Sequence, residues 1–147
     1  MMPERLRQAV DPVLAWAGQR PDLLAVALVG SWARGEARAD SDIDLVLLAN
    51  APATLRSDSG WPHEIRWAST GLQPLTWSDV DYGAAWSRHL QLSPDVEIEL
   101  TFADPGWANT MPVDSGTLAV IADGFQILLD KMGALARLQA SLQGRKR

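Results

Sequence analysis

The sequence predicts an α+β fold, in which a mixed β-sheet of four or five strands carries helices mainly on one side. Three observations predict it. Residues 4–19 place apolar side chains at helical spacing, and the runs 23–30 and 41–50 are mostly apolar. Residues 96–103 alternate strictly between apolar and polar side chains, as a strand with one buried face does.

The first predicted helix covers residues 4–19, and Pro12 within it permits a kink. Its apolar positions are Leu6, Val10, Val13, Leu14 and Ala17. "RPDL" ends this helix, and "LLAVALVG" at 23–30 predicts a buried central strand. "SWARGEARAD" follows as a short helix or turn, and "SDIDLVLLAN" at 41–50 predicts a second strand.

The middle of the chain is less regular. Residues 51–62 predict a loop with at most a turn of helix, and residues 65–78 fit no single pattern. Residues 80–103 predict a β-hairpin, because "SPD" at 93–95 has the chemistry of a turn. Glu97 and Glu99 then share the polar face of its second strand.

The last part of the chain predicts one more strand and one more helix. "DPGWANTMPVDSG" predicts a loop, and "TLAVIADG" at 117–124 fits either a helix or a strand. "FQILLD" at 125–130 predicts the last strand, and "GALARLQASL" predicts a C-terminal helix. We expect the tail 143–147 to be frayed.

Composition excludes several classes of protein. A length of 147 residues with 47% hydrophobic residues predicts a single domain over 1–147. A net charge of −5 argues against a general binder of polymeric nucleic acid. Because the chain has no cysteine, it has no disulfide and no thiolate metal site, which suits a cytoplasmic protein. No apolar run reaches the roughly 18 residues that a membrane span needs, and the N-terminus lacks the apolar region of a signal peptide.

The segment "VGSWARGEARADSDIDLVLL" carries the chemistry. Gly30 ends a predicted strand and has no Cβ, so a phosphate can approach the backbone closely there. Ser31 opens the next segment, where backbone N–H groups and a hydroxyl can receive phosphate oxygens. Asp42 and Asp44 lie two residues apart on a strand and therefore project from one face.

Two carboxylates on one face predict a site for a hard divalent cation such as Mg2+. Without a metal, their repulsion would raise the pKa of one of them. A third carboxylate on a neighbouring strand would complete a two-metal site, and Glu97 and Glu99 are the two candidates.

This motif strongly resembles that of the nucleotidyltransferases of the DNA polymerase β superfamily, in particular the minimal nucleotidyltransferases of bacteria and the antibiotic nucleotidyltransferases. Their pattern is Gly-Ser, then Arg-Gly, then Ser-Asp-x-Asp. The matching residues are Gly30, Ser31, Arg34, Gly35, Ser41, Asp42 and Asp44. "VEIELTFADPGWA", "PVDSGT" and "DGFQILLDKMGAL" also resemble the C-terminal half of one small branch, so the resemblance covers most of residues 20–138.

The resemblance implies the nucleotidyltransferase fold and a Mg2+-dependent reaction. Members transfer a nucleoside monophosphate, often AMP, from a nucleoside triphosphate to an acceptor hydroxyl and release pyrophosphate. Two Mg2+ ions and an NTP donor, with ATP favoured, are therefore expected.

The resemblance also implies roles for single residues. Gly30 and Ser31 would hold the β- and γ-phosphates, and Arg34 and Ser41 belong to the same nucleotide-binding stretch. Arg34 either contacts a phosphate or pairs with Glu36 or Asp40. The metal ligands would be Asp42, Asp44 and a glutamate, where many relatives have Asp. We favour Glu99 over Glu97 as this third carboxylate, because Glu99 lies deeper in the apolar strand.

The acceptor stays open at this point. The residues after the predicted hairpin suffice for one strand and one helix, so we expect a shallow acceptor pocket, or one shared across a homodimer or supplied by a protein partner. A toxin–antitoxin-like protein acceptor is therefore favoured. One alternative is a non-catalytic nucleotide-binding or antitoxin-like interaction module.

A second alternative is an aminoglycoside- or lincosamide-type antibiotic nucleotidyltransferase, whose cationic substrate would need an acidic pocket. Asp79, Asp81 and Asp104 are candidates for such a pocket. We interpret His63 and His89 as surface or packing residues. Trp32 is expected to pack beneath the motif loop rather than to line a base pocket.

Overall fold

The structure is a computed structural model that describes residues 3–38, 41–58, 60–83, 85–93, 95–108 and 125–145. The helices are α1 (Glu4–Gln19), α2 (Gly30–Arg34), α3 (Pro52–Ser57), α4 (Trp61–Glu64) and α5 (Ala134–Arg145), with 3-10 helices at Trp67–Thr70 and Pro105–Ala108. The strands are β1 (Leu23–Val29), β2 (Ile43–Ala49), β3 (Gln73–Asp81), β4 (Ala85–Ser93), β5 (Val96–Ala103) and β6 (Phe125–Asp130).

Within the described residues, the strands form one sheet of six in the order β3-β4-β5-β2-β1-β6. β2 and β5 are parallel, and every other neighbouring pair is antiparallel. The mixed sheet and the α+β class are confirmed, but the predicted number of four to five strands was too low.

The additional strand is β3, which the sequence pattern did not reveal. It lies at the edge of the sheet and most of its side chains are exposed on both faces, so its sequence has no burial period. Its residues 80 and 81 were assigned to the first strand of the predicted hairpin, which in fact begins at Ala85. The hairpin itself consists of β4 and β5.

The other predicted elements begin and end at, or close to, the residues at which the elements of the structure do. The helix at 4–19 is α1, and the predicted strands at 23–30, 41–50 and 125–130 are β1, β2 and β6. The last helix, predicted from 133, continues to Arg145, into the tail where fraying was expected. The segment 117–124 lies outside the described residues.

The main core lies on one face of the sheet, between the central strands and the helices α1 and α4. Three large rings contact one another there. Trp16 stacks on Trp61 with ring centroids 5.2 Å apart, and Trp61 packs edge-on against Phe102 with centroids 5.3 Å apart. All three belong to one buried cluster with the apolar side chains of β1, β2, β4 and β5. Burial of rings and branched chains in such a cluster is the main stabilising contribution to the fold.

A smaller core lies on the opposite face. Leu135 and Leu138 of α5 are buried there against Ala25 and Ala27 of β1 and Leu48 of β2. The helices are therefore divided between both faces, whereas the sequence predicted them mainly on one side. The reason is that β1 and β2 are apolar on both faces, so each face requires a cover. In the described part of the chain, no helix is long and apolar enough to cross a membrane.

Candidate functional site

The site begins where β1 ends. Val29 pairs with Asp44 across the antiparallel β1–β2 ladder, and Gly30 follows with φ +74°. A Cβ at Gly30 would lie 2.6 Å from Asp44 Oδ2, so both the backbone angle and the close carboxylate require glycine. Ser31 follows as the second residue of α2. Gly35, just after α2, also has φ +74° but has free space around it.

The parallel pairing of β2 with β5 places Asp44 directly opposite Glu99. Both side chains are half-buried on the face opposite the main core, because alternate residues of each strand point to alternate faces. Burial, together with the smaller contributions of the negative charges of Glu99 and Asp42, raises the pKa of Asp44 to about 6. The fold therefore holds like charges together at this point, and His89 and Arg34 offset their effect on the pKa of Asp44 only in part.

The two remaining carboxylates of the motif analysis lie beside this pair. Asp42 is exposed and immediately precedes β2, and Glu97 is exposed on β5. A hydrogen bond shared with Asp42 raises the pKa of Glu97, and the charge of Asp42 acts in the same direction. The structure thus brings all four predicted carboxylates to one face, with Glu99 next to Asp44 and Glu97 next to Asp42.

His89 is the site residue that sequence analysis did not identify. It lies on β4 opposite Glu99, and its Nε2 atom is 3.9 Å from Asp42 Oδ2. Potential ligand atoms of Asp42, His89 and Glu97 all lie within 4.8 Å of one another. The predicted hairpin could have indicated this position, because the pairing of its strands brings alternate residues of β4 beside the two glutamates of β5. His63, by contrast, packs its ring edge-on against Trp77 at 5.7 Å, which agrees with a packing role.

Hydrogen bonds join three residues of the motif region, namely Trp32, Arg38 and Ser41. The Ser41 hydroxyl accepts the Arg38 N–H at 2.7 Å, and Trp32 Nε1 donates to the Ser41 carbonyl at 3.2 Å. Trp32 was expected to pack beneath the motif loop, and its side chain packs against the main core. Arg34 Nε donates to Glu36 Oε2 at 3.2 Å, so one predicted partner of Arg34 is present.

Asp79, Asp81 and Asp104 do not join this cluster in an acidic pocket. Asp79 forms a bidentate ion pair with the buried Arg88, at 2.8 and 3.0 Å. Asp81 pairs with Arg56 at 2.9 Å, and Asp104 accepts a backbone N–H of the following 3-10 helix. Each carboxylate is therefore engaged in holding its own part of the fold.

A small open cleft of about 190 Å3 adjoins the cluster. Its walls include Thr76 and Ser78 of β3 together with His89, Gln91 and Glu97. The cleft gives solvent a direct approach to His89 and Glu97.

The chain matches the family model for the nucleotidyltransferase domain over residues 17–99. This span is more than half of the chain and includes the Gly-Ser turn, both aspartates and both glutamates. The protein therefore belongs to the nucleotidyltransferase domain family, within the DNA polymerase β-like superfamily, as the resemblance implied.

Solved structures add a likeness of fold. The chain superimposes on the crystal structure of an aminoglycoside 6-adenyltransferase from Bacillus subtilis with a TM-score of 0.52 and 12% sequence identity. The match covers 74% of this chain and 38% of that one. A CCA-adding enzyme in apo form I matches at TM-score 0.41 and 17% identity, over 90% of this chain and 31% of that one. The chain thus spans less than two-fifths of either enzyme, and no curated protein matches it.

Proposed function

We propose that the protein transfers a nucleoside monophosphate, AMP in the first instance, from a Mg2+-bound nucleoside triphosphate to an acceptor hydroxyl and releases pyrophosphate. The observation that carries the proposal is the pairing of Asp44 with Glu99 directly beside Gly30. The backbone turn at Gly30 and a pair of neighbouring carboxylates then lie side by side.

The residues present fit divalent cations. Asp42, Asp44 and Glu99 offer carboxylate oxygens, which Mg2+ prefers. Burial, and then the charges of Glu99 and Asp42, raise the pKa of Asp44, so its charged form is unfavourable until a cation binds. These three residues would hold two ions. When bound, such ions neutralise the triphosphate and activate the attacking oxygen.

The nucleotide would be held at the start of α2. The turn at Gly30 and Ser31 would receive the β- and γ-phosphates, and Ser31 offers its hydroxyl to them. Arg34 adds positive charge within the same short helix. Ser41 keeps the following loop in place through its bonds with Arg38 and Trp32.

The chemical step is an in-line substitution at the α-phosphorus. The acceptor oxygen forms a bond to that phosphorus, the bond to the bridging oxygen of the β-phosphate breaks, and pyrophosphate leaves. Glu99 takes the proton of the acceptor hydroxyl, because it is the glutamate placed next to Asp44 and is half-buried. Positioning and charge account for most of the rate enhancement in such a reaction.

We favour a protein acceptor, supplied by a partner or a second copy of the chain. The cleft beside Glu97, about 190 Å3, is smaller than the roughly 300 Å3 at which pockets for drug-sized ligands begin. Asp79 and Asp81 are ion-paired elsewhere, so they offer no pocket for a polycationic antibiotic. A hydroxyl presented on another protein would need no deep pocket here.

Calorimetry with ATP, GTP, CTP and UTP, each with and without Mg2+, tests the proposal. We expect Mg2+-dependent binding to the wild type that is lost when Asp42→Asn and Asp44→Asn are combined. Asp11→Asn, which removes an exposed carboxylate on α1, is the matched control for charge and should bind normally. If no triphosphate binds to the wild type, the proposed function is refuted.

A second measurement separates an enzyme from a binding module. Pyrophosphate release, with water as acceptor, should fall by about a hundredfold or more in Glu99→Gln while nucleotide binding persists. Binding without any release in the wild type would support a non-catalytic nucleotide-binding module instead.

A further inference from the structure

His89 has an environment that packing alone does not explain. Its Nε2 atom is buried and has no hydrogen-bond partner among the described residues, although the side chain as a whole is 35% exposed. A buried polar atom without a partner is unfavourable, so the atom needs an explanation, such as an ordered water or an ion that binds there.

The surroundings of Nε2 indicate what that group is. Asp42 and Glu97 point oxygen atoms toward the same small space, and all three potential ligand atoms lie within 4.8 Å of one another. Two ligand atoms on opposite sides of a metal lie about 4 Å apart at the usual bond lengths near 2 Å, so small rotations of these side chains would bring all three atoms to one ion.

Two of the three residues are fixed by the backbone of a single hairpin. His89 and Glu97 belong to the two strands of one hairpin, whose register places His89 opposite Glu99 and Gln91 opposite Glu97. The open cleft beside Gln91 provides an entry path from solvent.

We propose that Asp42, His89 and Glu97 form a divalent-metal position with an imidazole ligand, which prefers transition-metal ions such as Mn2+, Co2+ or Zn2+ to Mg2+. Imidazole nitrogen suits these ions, whereas Mg2+ selects oxygen ligands. The proposal adds to the proposed function in which Asp42 also takes part, but it concerns metal binding that needs no nucleotide. The shared Asp42 places this ion next to the Asp44–Glu99 carboxylates.

Titration of the whole protein with Co2+, in the absence of nucleotide, tests the proposal against Mg2+ titrated in the same way. The chain has two histidines, His63 and His89, so its imidazole NMR signals are simple to assign. We expect Co2+ to shift or broaden the signals of His89 and to leave those of His63, which packs against Trp77, near their original positions.

His89→Ala should weaken Co2+ binding by at least about tenfold, while the matched variant His63→Ala binds Co2+ as the wild type does. Glu97→Gln tests the same site should His89→Ala fold poorly, and it should weaken Co2+ binding similarly. Equal Co2+ affinity in the wild type and these variants, or equal perturbation of both histidines, would overturn the proposal. So would a wild type that binds Mg2+ as tightly as Co2+.

The two proposals fail in different ways. Loss of nucleotide binding with intact, His89-dependent Co2+ binding would refute the nucleotidyltransferase function and leave the metal position standing. Conversely, Mg2+-dependent nucleotide binding that is unchanged in His89→Ala, together with no preference for Co2+ over Mg2+, would refute the metal position and leave the nucleotidyltransferase function standing.

Discussion

Substituting Asp44 by asparagine should stabilise the metal-free protein. The folded-state pKa of this carboxyl, about 6, exceeds its ordinary value of 3.8, so between these pH values the folded state holds a proton that the unfolded state has released. The free energy of unfolding therefore falls as pH rises through this interval. The pKa shift corresponds to a loss of about 3 kcal/mol in the free energy of unfolding. Solvent screening of a half-buried group reduces this loss to about 1 to 2 kcal/mol.

Urea unfolding of the wild type and Asp44→Asn from about pH 4 to pH 8 measures this effect. Near pH 4, Asp44→Asn and the wild type should have the same free energy of unfolding. Above about pH 6.5, the free energy of unfolding of the variant should be higher by the full amount of about 1 to 2 kcal/mol, which is equivalent to roughly 3 to 6 °C in Tm. Asp11→Asn, an exposed carboxylate, should change stability by less than about 0.5 kcal/mol at every pH. Parallel pH curves for the wild type and Asp44→Asn, or a less stable variant at pH 8, would contradict the assigned cause.

Two further predictions concern the surroundings of the site. Gly30→Ala and Gly35→Ala should each lose about 1 to 2 kcal/mol of stability, because both glycines have φ +74°. Only Gly30→Ala should also weaken Mg2+-dependent nucleotide binding, since its Cβ displaces the adjacent carboxylate; equal binding by both variants in calorimetry would contradict this reading. Asp79→Ala leaves the buried Arg88 without its ion-pair partner and should cost about 2 to 3 kcal/mol in urea unfolding. Asp81→Ala, which breaks an exposed ion pair, should cost less than about 1 kcal/mol of stability. Similar losses in Asp79→Ala and Asp81→Ala would exclude the burial of Arg88 as the cause of the larger effect.

The Gly-Ser and Asp-x-Asp parts of the site could be predicted because they depend on short-range pattern. A buried apolar run ending in glycine defines the end of β1, and alternation places Asp42 and Asp44 on one face of the next strand. The strict alternation of β5 likewise predicted that Glu97 and Glu99 share a face.

The pairing of strands could not be predicted in the same way, because it is not local. Nothing in the pattern states that β5 pairs in parallel with β2, and that pairing is what sets Glu99 against Asp44. The position of His89 depends in turn on the register between β4 and β5. β3 has no burial period, so its pairing beside β4 was beyond pattern analysis altogether.

The high pKa of Asp44 and the capacity of the site to bind cations have the same origin in the fold. Glu99 lies between Ile98 and Leu100, both fully buried in the main core on the other face. A slip of this strand by one residue would expose those two side chains and bury the carboxylate among apolar ones, so the register is strongly specified. The carboxylates therefore cannot move apart along the sheet to reduce their repulsion. Only a proton or a bound cation can relieve it, which is why the same residues destabilise the metal-free protein and suit it to bind a metal–triphosphate complex.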